Sequence, residues 1–275
     1  MNTQVQEVAG REPRRGTLLG RLRSYFVYVP LVYLYTLVLG ILSLLSSLFD
    51  GSGRVQHWFA RLWARMILKT GSVPVHVEGL ENIDPAHPAV YAANHLSALD
   101  IPVLLATIPG QFRIMAKKEL FRYPFMGWHL KRSGQIPIVF GDAHASVSSL
   151  KRAGRSLRKG MPLMVFPEGG RSPNGQLQPF MGGAFFAAIA EQVPVIPITI
   201  IGTYELLPMN SFYAMPGPVE MIIGKPIATT GMRLRDLDKL AAQVRNAIAE
   251  TCNSRAKTVT STVHHRGTEV TEKTV

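Results

Sequence analysis

An uncharged apolar stretch lies near the N-terminal end of the chain. Residues 25–49 contain no Asp, Glu, Lys or Arg, and a membrane helix needs about 20 predominantly apolar residues. The stretch is longer than the apolar region of a signal peptide, and no convincing small-x-small cleavage site follows it. We therefore expect it to be retained in the protein as part of a membrane anchor.

Basic side chains flank this stretch on both sides. Arg23 ends the polar, basic segment 1–24, and Arg54 is the first of several cations that follow the stretch. Positive charge marks the cytoplasmic side of a membrane segment, so the two flanks favour the same side. We expect residues 25–49 to dip into one leaflet and return, or to form a hairpin, rather than to cross the bilayer once.

Residues 55–68 have the periodicity of an amphipathic helix. Trp58 and Trp63 are among the apolar residues that recur at helical spacing, and cations such as Arg65 occupy the opposite face. A helix of this kind lies at a lipid interface, so residues 25–70 are predicted to form the anchor. The alternative is a core helix packed on the following domain.

Beyond Gly71 the pattern changes to short apolar runs that alternate with helical segments. Strands are predicted at 73–77, 89–93, 111–116, 136–139, 162–166, 195–200 and 219–223, and helices at 101–108, 126–133, 143–158, 184–191 and 237–248. This alternation predicts an α/β sandwich around a mixed, largely parallel sheet over residues 71–252. Residues 253–275 are polar and Thr-rich and are expected to be disordered.

The composition adds a charge argument to this picture. Lys and Arg number 30 against 18 Asp and Glu, which gives a formal net charge of +12 and favours a polyanionic partner. The apolar stretch favours an anionic membrane surface, and no nucleic-acid recognition motif is present. Cys252 is the one cysteine, which excludes an internal disulfide and a cysteine-based zinc site.

A histidine followed five positions later by an aspartate comes directly after one predicted strand. His95 and Asp100 belong to the sequence Asn-His-Leu-Ser-Ala-Leu-Asp. An imidazole held by a carboxylate is a general base that takes a proton from a hydroxyl near neutral pH. No Gly-x-Ser-x-Gly motif is present, so the base is expected to act directly on a substrate alcohol. Taken alone, the same spacing fits a structural histidine that bonds a nearby acid.

A second cluster, Phe-Pro-Glu-Gly-Gly-Arg-Ser, ends another predicted strand. The guanidinium of Arg171 can grip a phosphate with two hydrogen bonds, and Gly169 lets backbone N–H groups approach a ligand closely. We expect Glu168 to accept hydrogen bonds from acceptor hydroxyls, with a simple loop ion pair to Arg171 as the alternative.

Together the two motifs make the chain resemble the glycerolipid acyltransferases typified by 1-acylglycerol-3-phosphate O-acyltransferase. The resemblance covers roughly residues 73–225. It includes the run Lys117-Lys118-Glu119-Leu120 and the apolar run at 193–198. It implies a glycerophosphate acyltransferase-like fold, with His95 and Asp100 as catalytic residues and no metal. Substrate contacts are expected from Lys117, Glu168, Gly169, Arg171 and Ser172.

The resemblance also implies a reaction and a location. A fatty acyl group would move from acyl-CoA or acyl carrier protein to the free hydroxyl of lysophosphatidate, giving phosphatidate. The thioester is a co-substrate, and no cofactor is expected. The implied location is a membrane, expected to be the bacterial inner membrane with the catalytic domain facing the cytoplasm.

Three positions depart from the family pattern. Phe140 replaces an arginine that usually ends a Gly-x-x-x-Ile-x-Arg block, Met181 replaces a lysine, and Gly170 replaces a threonine. Two of these changes remove cations expected near the acceptor phosphate. Another lysolipid, such as a lyso-ornithine lipid, is therefore an alternative acceptor. An inactive, membrane-anchored lipid-binding protein is the alternative of another class.

Overall fold

The computed structural model describes residues 16–138 and 143–268, with side chains described for 16–138 and 148–256. The α-helices are α1 Leu18–Arg23, α2 Val29–Ser46, α3 Arg54–Gly71, α4 Asp100–Thr107, α5 Met126–Arg132, α6 Ala143–Arg158, α7 Phe186–Glu191, α8 Thr203–Leu206 and α9 Leu237–Thr268. A π-helical turn, Ser24–Tyr28, joins α1 to α2, and 3-10 turns span Leu80–Asn82, Lys118–Arg122, Gly182–Phe185 and Leu234–Asp236. The strands are β1 Val75–Glu78, β2 Val90–Ala93, β3 Arg113–Lys117, β4 Ile136–Ile138, β5 Leu163–Val165, β6 Val195–Ile201 and β7 Val219–Ile223.

The seven strands form one sheet in the order β1-β7-β6-β2-β5-β3-β4. Every neighbouring pair is parallel except β6 and β7, which are antiparallel. The predicted α/β fold with a mixed, largely parallel sheet is confirmed. Parallel strands need crossover connections, and the helices that supply them cover the sheet.

Alternate residues of the central strand β2 enter two separate cores. Tyr91 and Ala93 pack into a core shared with α3 and α4, whereas Val90 and Ala92 pack into a core shared with α6, α7 and α9. Burial on both faces explains why this strand is a continuous apolar run in the sequence. It also fixes the end of β2, from which the first motif projects.

The N-terminal helical run packs along the α/β domain and contacts it at both ends. At one end, the Ser24 hydroxyl donates to Phe212 O over 3.0 Å and accepts from Ala214 N over 2.9 Å. At the other end, Ser43 Oγ lies 3.0 Å from Nδ1 of His129 in α5. The run begins at Leu18, so helix extends into the predicted basic flank, whose residues 1–15 lie outside the described part of the chain.

Helix α3 combines the two alternatives that its sequence left open. Ala64, Ile67 and Leu68 are buried in the core, as a core helix requires, whereas Val55 and Trp58 are exposed. The expectation that the whole apolar face lies in lipid is therefore wrong for its C-terminal half. The apolar side chains there pack against the domain.

The long C-terminal helix α9 corrects the expected boundary of the tail. Residues from 253 onward were expected to be disordered, but α9 continues through Thr268. Cys252 is buried in the core, and Arg255 forms an ion pair with Glu78 and lies 3.7 Å from a carboxylate oxygen of Glu220. These tertiary contacts lie at the expected start of the tail, where the sequence has no apolar periodicity. Residues 269–275 lie outside the described part.

Candidate active site

His95 and Asp100 form a hydrogen-bonded dyad at the end of β2. His95 lies in the loop after the strand, Asp100 begins α4, and His95 Nδ1 is 2.8 Å from Asp100 Oδ2. With a carboxylate at this distance, Nδ1 carries the proton and Nε2 is left as the basic nitrogen. The predicted contact between the two residues is present.

The carboxylate of Asp100 is buried and fully engaged. Its Oδ2 also accepts the backbone N–H groups of Leu96 and Ser97 at 2.7 and 2.8 Å. Its Oδ1 accepts the hydroxyl of Thr203 at 2.6 Å. Because every contact brings a donor to an acceptor-only group, the dyad has one favoured arrangement, with the imidazole pointing its proton at Asp100.

The imidazole ring is further fixed by stacking. The rings of His95 and Phe166 have centroids 4.1 Å apart with an interplanar angle of 23°. The His95 side chain keeps an exposed fraction of 16%. The dyad is therefore held rigidly while its base remains accessible, as proton transfer to or from a bound substrate requires.

Glu168 joins the two motif loops through backbone hydrogen bonds. Its Oε1 accepts the N–H of His95 at 2.6 Å, and its Oε2 accepts the N–H of Gln178 at 2.8 Å. The N–H of Ser172 in turn donates to His95 O at 2.9 Å. These contacts hold the second loop against the first. The expected contact between Glu168 and acceptor hydroxyls stays a prediction.

Burial raises the pKa of Glu168 to about 7. The two backbone N–H groups and the charge of Arg245 act in the opposite direction, whereas the charge of Asp100 adds to the rise. Desolvation is the largest cause. The carboxyl next to the dyad therefore changes protonation state near neutral pH.

Lys117 and the glycine-rich loop meet beside the dyad. Lys117 ends β3, and its Nζ lies 3.6 Å from the position that a Cβ on Gly170 would occupy. Gly169 has φ +72°, a conformation that favours glycine, and Arg171 is exposed in the same loop. Two cations that are distant in sequence thus flank one glycine-containing stretch of backbone.

Ser172 has a different environment from the one expected of a substrate contact. The residue is fully buried, its hydroxyl donates to Asn174 Oδ1 over 3.0 Å, and it accepts from Gln178 Nε2 over 3.3 Å. A side chain without exposed surface cannot meet a substrate in this conformation. We therefore correct the prediction: Ser172 supports the loop.

Three supporting residues were missed in the sequence. Thr203 bonds Asp100, Phe166 stacks on His95, and the Asn94 amide bonds both the N–H and the carbonyl of Ile200 at 2.7 and 2.9 Å. Phe166 and Asn94 lie inside the two motifs, so their position in the sequence indicated that they are close to the site. Thr203 had no such indication, because it is 103 residues from Asp100.

The structure describes two of the three positions that depart from the family pattern, Gly170 and Met181. Phe140 lies outside the described residues. Met181 is exposed, and its backbone N–H donates to Pro167 O at 2.9 Å, which places it beside the second motif. An apolar side chain therefore stands at the edge of the site where a cation was expected. Within the described ranges, no group of three or more His, Cys, Asp or Glu side chains could hold a metal ion.

An apolar cavity of about 270 Å³ lies between α2, α3, α4 and α5. Ile101 and Leu105 of α4 line it, together with Gly40 of α2 and Ala60 of α3. Ile101 directly follows Asp100, so the cavity and the dyad share a helix. Leu18–Ser46, on the outer side, is long and apolar enough to cross a membrane, with a mean hydropathy of 2.0 and only 6% of its most apolar window buried.

Comparisons with known proteins identify a family for the chain. Residues 74–201 match the Acyltransferase family model. A chloroplastic 1-acyl-sn-glycerol-3-phosphate acyltransferase of Brassica napus is 37% identical over 209 residues, which are 75% of this chain and 59% of that protein. The chain thus spans about three fifths of the length of that relative.

Two further relatives match over most of their own length. A 1-acyl-sn-glycerol-3-phosphate acyltransferase of Chlamydomonas reinhardtii is 31% identical over 86% of this chain and 71% of its own. The crystal structure of the 1-acyl-sn-glycerophosphate acyltransferase PlsC from Thermotoga maritima superimposes with a TM-score of 0.68 at 27% identity, covering 87% of this chain and 95% of that one. The chain therefore belongs to the family of 1-acyl-sn-glycerol-3-phosphate acyltransferases.

Proposed function

We propose that the protein transfers a fatty acyl group from an acyl thioester to the free hydroxyl of 1-acylglycerol 3-phosphate, forming phosphatidate. The donor is acyl-CoA or acyl carrier protein. The observation that carries the proposal is the hydrogen-bonded His95–Asp100 dyad, in which Asp100 is buried and Nε2 of the partly exposed His95 is left as the base. The names of the family relatives supply the acceptor.

The geometry supports a direct transfer without an acyl-enzyme. Nε2 of His95 takes the proton of the acceptor hydroxyl as its oxygen attacks the thioester carbonyl carbon. Asp100 stabilises the imidazolium, and the carbon–sulfur bond then breaks. The imidazolium returns the proton to the thiolate, so the products are an ester and a free thiol. Lys117 and backbone N–H groups near Gly169 are proposed to meet the developing oxyanion.

Arg171 is proposed to bind the acceptor phosphate. It is exposed in the loop that also contains Gly169 and Gly170, and Lys117 is close by. The exposed Met181 at the edge of the site favours a second candidate, transfer to a lysolipid without a phosphate monoester, such as a lyso-ornithine lipid. Both candidates use the same base.

The acyl chain of the donor or acceptor is proposed to lie in the apolar cavity beside α4. Its lining is largely hydrophobic, and α4 links it to Asp100. The exposed anchor α1–α2 is proposed to lie in the membrane surface, on the cytoplasmic side of a bacterial inner membrane. A lysolipid then reaches the site without moving far out of the bilayer.

The test is the variant His95→Ala, assayed on vesicles with one acyl thioester and a panel of acceptors. Loss of a positioned general base lowers the rate about a hundredfold or more. His87→Ala is the matched control, since His87 makes a similar 2.7 Å contact with Asp84 on the exposed surface. Transfer by His95→Ala near the wild-type rate would exclude the mechanism.

The same panel separates the candidates for the acceptor. Lysophosphatidate should be the best acceptor, and Arg171→Gln should raise its KM more than that of an acceptor without phosphate. Preference for a lyso-ornithine lipid would favour the second candidate. A wild-type protein that binds lysolipids but acylates none of them would indicate a lipid-binding protein.

A further inference from the structure

A ridge of exposed apolar side chains stands on the catalytic domain next to the end of α2. The ridge consists of residues 120–128. Tyr123, Phe125, Met126 and Trp128 have exposed fractions of 57%, 51%, 43% and 51%. Large apolar side chains clustered on a surface usually mark an interaction site. Phe125 and Met126 also line the apolar cavity, whereas Tyr123 and Trp128 do not, and the proposed proton transfer uses none of the four side chains.

The backbone holds these side chains outward in a fixed turn. Phe125 has φ +59°, which is uncommon and strained for an aromatic residue. Met126 N donates to Pro124 O over 2.7 Å, and Gly127 N donates to Tyr123 O over 2.8 Å. A Cβ on Gly127 would clash with the carbonyl oxygen of Phe121, so the turn has little freedom to relax.

The aromatic rings of the ridge are also ordered relative to one another. The rings of Phe125 and Trp128 have centroids 5.3 Å apart. Because the side chains are already arranged, little conformational entropy remains to be lost when the ridge binds a partner. A strained turn that displays ordered aromatic rings to solvent is suited to binding an apolar partner.

Cations surround the ridge on both sides. The exposed side chains Lys118, Arg122, Lys131 and Arg132 flank it, and Glu119 is the one acidic residue between 117 and 132. An apolar centre between cations complements a bilayer surface that carries anionic lipids, where Trp and Tyr are also enriched. This charge pattern does not match a purely apolar protein groove.

The ridge is continuous with the anchor. Leu44 of α2 and Leu48 of the turn that follows it line one surface depression together with Trp128 and Arg132. The bond between Ser43 and His129 holds α5 against α2 at this point. The exposed apolar surface of the anchor therefore extends onto the catalytic domain without a break.

We propose that the ridge inserts into the interface of an anionic bilayer as a second membrane contact, beside the anchor. The proposal rests on the proposed membrane location. This second membrane contact affects the active site, because Lys117 directly precedes the flanking cations in sequence and its side chain reaches the loop that contains Gly170. Insertion of the ridge holds this side of the site at the depth of lipid headgroups.

The experiment uses the fluorescence of Trp128 in the full-length chain. The chain has three tryptophans, so Trp58→Phe with Trp63→Phe leaves Trp128 as the single reporter. It is mixed with vesicles of phosphatidylglycerol and phosphatidylcholine whose acyl chains are brominated near the headgroup. We expect a blue shift and at least a twofold quenching of Trp128 emission, both weaker at high salt and with Arg122→Gln, Lys131→Gln and Arg132→Gln combined.

The control carries its only tryptophan elsewhere on the catalytic domain. Leu234→Trp, made with all three native tryptophans replaced by Phe, puts the reporter at an exposed position in the turn before α9. Its emission should not be quenched. Unquenched Trp128 in protein that co-sediments with the vesicles would overturn the proposal. A spectral shift of Trp128 that follows protein concentration without lipid would also overturn it, in favour of a protein interface.

Acyl transfer is measured on the same samples, which keeps the two proposals separable. Quenching without acyl transfer would contradict the proposed function alone. Acyl transfer without quenching would contradict the ridge alone. The Trp63→Phe change removes a 2.9 Å bond to Thr36 and alters the lining of the apolar cavity, so acyl transfer is also measured with the wild-type protein on the same vesicles as the reference.

Discussion

At the residue scale, Glu168 is a motif residue that supports the site through hydrogen bonds to the backbone. Each of its oxygens accepts a backbone N–H, from His95 and from Gln178. Its side chain is half-buried, and desolvation raises the pKa of its carboxyl to about 7. A group in this position couples the protonation of the site to the stability of both loops.

The pH dependence of stability should report this coupling. Between pH 4.5 and 7 the folded protein holds a proton on Glu168 that the unfolded chain releases, so the free energy of unfolding should fall as pH rises. A pKa rise from 4.5 to about 7 corresponds to a decrease of about 3 kcal/mol in the free energy of unfolding across this pH range. Thermal unfolding in detergent, followed at several pH values, should show Glu168→Gln losing this slope.

Glu168→Gln should also be less stable than the wild type below pH 4.5. Its amide nitrogen would face a backbone N–H, and an unsatisfied buried donor costs about 1–3 kcal/mol. Glu119→Gln, on the exposed surface, is the control and should keep the wild-type slope. The same slope in Glu168→Gln as in the wild type would mean that another group titrates.

The sequence predicted the local contacts of the site better than its distant ones. His95 and Asp100 are five residues apart, so a turn after β2 brings them together. The hydroxyl of Thr203, which is 103 residues away in sequence, donates a hydrogen bond to the carboxylate of Asp100. No local pattern encodes that contact. Ser172 was misjudged because a motif position does not state whether its side chain faces the ligand or the core.

At the element scale, apolar periodicity located strands and helices but did not give strand direction. The seven predicted strands overlap β1 to β7. The antiparallel pairing of β6 and β7 depends on the path of the chain through α8 and the loop that follows it. The split role of α3 was equally hidden, because Trp58 and Ile67 are both apolar although only Ile67 is buried.

Helix α2 offers a direct test of the apolar cavity. Gly40 lines the cavity, and a Cβ built there meets nothing within 4 Å. Gly40→Leu should therefore narrow the cavity and favour the helix by about 1 kcal/mol. If the cavity holds an acyl chain, kcat/KM should shift severalfold toward shorter chains in a series of donors or lysolipids of increasing chain length.

The control for this test lies on the same helix. Val38 is exposed and does not belong to the cavity lining. Val38→Leu adds apolar volume outside, so the chain-length profile should remain that of the wild type. A profile unchanged by Gly40→Leu would place the acyl chain elsewhere.

At the scale of the whole molecule, the two ends of the anchor decide how it sits in a membrane. Ser24 bonds the loop at Phe212, and Ser43 bonds His129 of α5. A helix whose two ends contact the same catalytic domain cannot cross a bilayer while those contacts hold. We expect it to lie along the membrane surface, with both basic flanks on the same side, as the sequence indicated.

Labelling of an introduced cysteine in sealed vesicles should show this arrangement. Gly51 lies in the exposed turn between α2 and α3, with open space around its Cβ. In a Cys252→Ala background, an impermeant maleimide should label Gly51→Cys from the same side as Glu250→Cys on α9 of the catalytic domain. Protection of Gly51→Cys with full labelling of Glu250→Cys would show that the turn reaches the far side.

The residues that position the base are separate from the residues proposed to bind the lipid headgroup. The base is positioned by main-chain groups and by Asp100, Glu168 and Thr203, all turned inward. The side chains proposed to meet the lipid headgroup, such as Arg171, stand on the outer edge. On the proposed mechanism, exchange of those outer side chains redirects acyl transfer to a new alcohol and leaves the acid–base chemistry in place.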